Sequence, residues 1–202
     1  RNGLRLVLIN APPPNYTGGN RGFAAVTGGE DRFSYDMRRA LRYAKELRVP
    51  MVHVMAGEAA GPQAKETMIS NLKAAVLSTP EDIILTIEPL CPQAQPGYFL
   101  NDYGLASEII SAVGAPNLRL QFDSYHAQMI HGDAASVYRQ YSDLIEHVQI
   151  GDAPSRGAPG SGSVDFPDLF ATLRSGGYSG WVSGEYTPGP STETTLDWMK
   201  QL

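Results

Sequence analysis

Short apolar runs alternate with longer segments of helical period along the chain. The runs at 4–10, 51–56, 83–88, 118–123, 145–150 and 181–186 have the length and apolar content of buried strands. Between the first two, FSYDMRRALRYAKEL puts Phe33, Met37, Ala40, Leu41, Ala44 and Leu47 on one face, which predicts a helix. Residues 64–78, 102–113, 134–141, 166–174 and 193–202 predict five more. Asn101 and Asp165 stand where N-caps belong, and Pro167 falls in a first turn, where its missing N–H costs little. Strand followed by helix, six times over, predicts an α/β fold around a parallel sheet, in one domain spanning residues 1–202.

A closed (β/α)8 barrel has eight such units in typically about 250 residues. The chain offers six, starts without methionine, and its opening RNG resembles a helix end with its glycine C-cap. The expectation is a TIM barrel whose first two βα units are missing, with a three-layer open sheet as the competing architecture.

Alternate residues of a strand share a face. One set is apolar: Val52 and Val54, Ile83, Leu85 and Ile87, Leu118, Leu120 and Phe122, Val148 and Ile150, Val182. The other is polar: His53, Thr86 and Glu88, Gln121 and Asp123, His147 and Gln149, Ser183 and Glu185. Five consecutive strands thus aim polar side chains inward near their C-terminal ends, where barrel enzymes keep their chemistry. Glu88, Asp123, Gln149 and Glu185 bring three carboxylates and an amide oxygen to one volume, where the carboxylates would repel without a cation. Oxygen donors suit one hard divalent ion, Mg2+ or Mn2+, and His126 beginning the loop after Asp123 leaves Co2+ and Zn2+ as options. His147 reads as a hydrogen-bonded core histidine, and His53 is open between core and substrate contact. The loop APSRGAPGSGS lacks the GK[ST] ending of a P-loop. It reads instead as a mobile segment that sets Arg156 over the mouth to grip a carboxylate.

Composition narrows the function. At 42% hydrophobic and 18% charged, with net charge −5 and no basic stripe, the composition argues against a nucleic-acid backbone as the main partner. No apolar run approaches the roughly 20 residues needed to cross a bilayer, and the opening is neither signal nor transit peptide, so a cytoplasmic location is expected. A single cysteine, Cys91, excludes an intrachain disulfide and CxxC zinc sites.

The ordered segments LVLINAPP, RYAKEL, VHVMAG, IEPL with PGYFL, FDSYHAQ, HVQIGDAPSRGAPGSG and GWVSGEY resemble the hydroxypyruvate isomerase family of xylose isomerase-like TIM barrels. VHVMAG and YHAQ are closer to its 2-oxo-tetronate isomerase subgroup. The resemblance implies metal ligation by Glu88, Asp123, Gln149 and Glu185, with acid and base roles for Glu88 and Glu185. It further implies an enediolate isomerisation of a small hydroxy-keto acid in carbohydrate metabolism, hydroxypyruvate to tartronate semialdehyde or its 2-oxo-tetronate counterpart. His53, His126 and Arg156 would contact substrate. Two departures bear on the substrate: Ala158 and Ser163 stand where many members carry loop acids, and Cys91 where many carry asparagine. The alternatives are a ketose 3-epimerase with the same ligand set, an endonuclease IV-type enzyme needing more histidines than the four present, and a non-catalytic metal-binding module. Unpaired strand edges would favour a homo-oligomer.

Overall fold

The computed structural model describes residues 3–11 and 20–202. The helix-end reading of Arg1 and Asn2, and the prolines of LVLINAPP, lie outside them. The described residues contain six strands and six α-helices, in two compact units divided between Leu120 and Gln121. The division falls inside β4.

In the first unit β1 (Leu8–Ala11), β2 (Met51–Val54), β3 (Ile84–Ile87) and the opening of β4 (Leu118–Asp123) are parallel neighbours in that order. Helix α1 (Glu30–Leu47) packs on β1 and β2, and α2 (Pro62–Ser78) lies between α1 and α3 (Tyr103–Val113). The predicted stripe of α1 is buried at Phe33, Met37, Ala40, Leu41 and Ala44, whereas Leu47 is exposed. Asp102 rather than Asn101 caps α3, its carboxylate accepting from Leu105 N at 2.9 Å.

In the second unit the close of β4, β5 (Ile145–Ile150) and β6 (Val182–Gly184) follow in order, with β5 and β6 parallel. Helices α4 (Ser124–His131), α5 (Ala134–Tyr141) and α6 (Phe166–Ser175) pack in succession. Asp165 caps α6 as expected, accepting from Asp168 N at 3.0 Å.

The apolar set of strand positions is enclosed. Val52, Val54, Ile83, Leu85, Ile87, Leu118, Leu120, Phe122, Val148 and Ile150 are all buried, while Val182 is only half-buried. Three further expectations need correction. Pairing of β1 with β2 begins at Leu8, and Leu4 and Leu6 remain 90% and 47% exposed. The helix expected at 193–202 is two short 3-10 turns, with Trp198 alone buried among them. Helix α4 stands where a loop was expected, and His126 is on its first turn. No described helix is long and apolar enough to cross a membrane.

Candidate active site

Asp123 does two jobs because β4 runs into α4 without a connecting loop. Its backbone is still extended, so its Oδ1 can cap the helix by accepting from Tyr125 N at 2.8 Å. Its Oδ2 accepts from Arg156 Nη2, also at 2.8 Å. The cap fixes the carboxylate, and the first turn of α4 brings the buried His126 beside it, with a ring nitrogen within 4.8 Å of a carboxylate oxygen.

Arg156 comes from the loop after β5 and holds the left-handed conformation, φ 53°, that side chains seldom adopt. The same Nη2 lies 3.2 Å from Glu185 Oε1, just past β6, and the guanidinium stands over the Tyr125 ring, 5.2 Å from its centroid. One cation therefore serves two carboxylates. Burial raises Asp123 above the usual aspartate range, against the opposing pull of Arg156 and the Tyr125 N–H. Burial also raises Glu185, Asp123 pushes it the same way, and Arg156 opposes both. Burial first, and the Arg156 charge second, push His126 down to about 3, so its imidazole is neutral at physiological pH.

The remaining polar strand positions form side-chain pairs. Gln149 Oε1 accepts from Gln121 Nε2 at 2.6 Å, which uses one of its two lone pairs. His147 Nε2 and Ser183 Oγ are 3.2 Å apart, and burial pushes His147 down to about 4. That is the hydrogen-bonded core histidine expected from the sequence. In the first unit Asn10, His53 and Thr86 lie in one row across β1, β2 and β3. His53 Nδ1 donates to Asn10 Oδ1 at 3.2 Å, and its Nε2 is 3.7 Å from Glu88 Oε2. Both His53 and Glu88 are buried.

The structure thus joins Asp123, Arg156 and Glu185, sets His126 beside them, pairs His53 with Glu88, and seats Gln149 on Gln121. Sequence reading missed Asp152, whose carboxylate anchors the Arg156 loop, and Tyr125 beneath the guanidinium. The available signal for Asp152 was an acid two residues after a strand, at the entrance to a glycine-rich loop. Chemically, two carboxylates crowded on one guanidinium, with a neutral imidazole beside Asp123, offer oxygen and nitrogen donors of the kind that hold a divalent cation.

Fold and residues together place the protein in a class: the chain belongs to the xylose isomerase-like TIM barrel family, matched over residues 1–202. It is 38% identical to the 2-oxo-tetronate isomerase of Cupriavidus necator over 204 residues, 98% of this chain and 78% of that one. It is 36% identical to the hydroxypyruvate isomerase of Escherichia coli K12 over 203 residues, 98% of this chain and 79% of the other. Among solved structures, an AP endonuclease of family 2 from Brucella melitensis superposes with a TM-score of 0.91 at 37% identity, over 98% of this chain and 78% of that chain. A 3-keto-D-glucoside 4-epimerase from Escherichia coli, with a TM-score of 0.77 and 21% identity over 98% of this chain and 78% of that one, shares the fold.

Proposed function

We propose that the chain is a metal-dependent isomerase that moves a carbonyl between adjacent carbons of a small hydroxy-keto acid, of the hydroxypyruvate or 2-oxo-tetronate type. The observation that carries this reading is the Asp123–Arg156–Glu185 cluster. It couples a fixed carboxylate and a solvent-reachable one to a guanidinium able to bind a substrate carboxylate. The isomerase relatives supply the substrate class.

In this reading Glu88, Asp123, Gln149 and Glu185 would hold one Mg2+ or Mn2+ ion, which would supply Lewis acidity to the reacting keto acid. The difficult step is removing a proton from carbon. One glutamate of the pair Glu88 and Glu185 takes that proton from the hydroxyl-bearing carbon, the other delivers one to the former carbonyl carbon, and the hydroxyl proton passes to the former carbonyl oxygen. Glu185 is the half-exposed carboxylate of the cluster, so a substrate carbon can reach it. His126 is neutral and so holds a substrate hydroxyl by hydrogen bonding without titrating near neutrality. Arg156 grips the acid group, and His53 orients Glu88.

Glu185→Gln keeps the size and one ligand oxygen while removing the base. Calorimetry with Mn2+ should find binding retained within about tenfold, while isomerisation of the keto acid falls by about 100-fold or more. Turnover at the wild-type rate would sink the role given to Glu185.

A further inference from the structure

The Arg156 loop is anchored from within. Asp152, fully buried two residues after β5, spends both carboxylate oxygens on main-chain N–H groups of the loop it opens. Oδ1 accepts from Ala153 N at 2.9 Å and Val164 N at 3.0 Å, and Oδ2 from Gly160 N at 2.9 Å and Gly162 N at 2.8 Å. Two further bonds tie the part of the loop that carries the arginine. Asp152 N donates to Gly157 O, and Thr187 N donates to Arg156 O, both at 2.9 Å. Gly162 passes so close that a Cβ there would stand 1.9 Å from Ala153 O. Arg156 meanwhile holds an unfavourable left-handed φ, which persists only where surrounding bonds over-determine it.

We infer that Asp152 is a positioning residue that acts through Arg156: by gathering four loop N–H groups onto one carboxylate, it holds the guanidinium between Asp123 and Glu185. Each of the four bonds is charge-assisted and buried or partly buried, the condition under which such bonds are strongest. The loop geometry alone gives Asp152 this role, whichever substrate the site takes.

Asp152→Asn tests it, because the amide keeps the shape but replaces one acceptor oxygen with a donor facing N–H groups. Hydrogen exchange would be followed by NMR on the metal-free full chain, with the Arg156 Nε–H signal assigned by its loss in Arg156→Lys. Exchange at Gly160 and Gly162 should speed up by about tenfold or more in Asp152→Asn, and the Arg156 Nε–H by a similar factor, while Val148 and Leu169 keep their rates. Loop amides that loosen while the Arg156 signal keeps its wild-type rate would overturn the inference, as would no change at either. Should the variant fail to fold, the wild-type protein carries the same test. With added sub-denaturing urea, Gly160, Gly162 and Arg156 Nε–H should accelerate with one common slope, and separate slopes would overturn the coupling.

Discussion

Replacing Arg156 with glutamine removes the one cation that the described chain places between Asp123 and Glu185. The cost follows from the two contacts. The Asp123 carboxylate is fully buried, and a hydrogen bond to a charged group is worth about 1.5–3 kcal/mol. The Glu185 contact is weaker, because the Arg156 and Glu185 side chains are 31% and 46% exposed, and solvent-screened pairs contribute about 0–1 kcal/mol. Proton uptake by Asp123, already raised by burial, caps the penalty. The expected loss in metal-free protein at neutral pH is about 2–3 kcal/mol, or a fall in Tm of about 5–10 °C for a chain this size. Two conditions should shrink it. As pH falls through the raised Asp123 pKa, the stranded carboxylate takes a proton and the cost of the substitution declines. If Asp123 and Glu185 ligate the ion as proposed, saturating Mn2+ would neutralise the same carboxylates and reduce the loss to about 1 kcal/mol or less. Urea unfolding followed by circular dichroism, in EDTA and in Mn2+, reads both effects. An equal loss with and without metal, or a loss under about 0.5 kcal/mol in EDTA, would refute the role of Arg156 as counter-cation.

Other perturbations are as specific. His147 is pushed from 6.5 down to about 4 by burial, so as pH falls the unfolded chain takes up that proton first. The stability due to neutral His147 is complete above its unfolded pKa and is lost between about 6.5 and about 4, on the order of 3 kcal/mol in all. His147→Gln should flatten the unfolding free energy across that window, and parallel curves for variant and wild type would contradict it. Gly162→Ala would place a methyl 1.9 Å from Ala153 O and 2.8 Å from Asp152 Oδ1; overpacking of this kind costs about 1–3 kcal/mol, and an unchanged urea midpoint would show that the loop yields freely.

Legibility from sequence tracked how fully each element is buried. Strands β4 and β5 coincide with their predicted ranges because their apolar residues are enclosed, leaving a clean alternation. Leu4 and Leu6 continue the same alternation ahead of β1 but have no strand pairing among the described residues, and periodicity does not report which positions pair. Residues 193–202 have helical spacing, yet burial of Trp198 alone anchors only short 3-10 turns. Helix α4 was hidden because Asp123 looked like the end of a strand, although an aspartate cap followed by Gly132 in the left-handed C-cap conformation is a helix signature. Asp123 and His126 were legible as chemistry before they were legible as structure. Arg156 could be singled out as the charge in a glycine-rich loop. Its anchor could not, since the four N–H groups that meet Asp152 converge only once the loop has closed.

The most direct trial of the isomerase reading is proton–deuterium exchange at carbon. The metal-stripped protein would be incubated in D2O with hydroxypyruvate and, separately, with 2-oxo-tetronate, with and without Mn2+, and the ion removed before NMR spectra are taken. Mn2+-dependent conversion of one substrate, with deuterium entering at the carbon beside the carbonyl, is the expected result and identifies which keto acid fits. Retained Mn2+ binding with no exchange into either substrate would contradict it, leaving a 3-epimerase on a longer sugar or a metal-binding module without turnover.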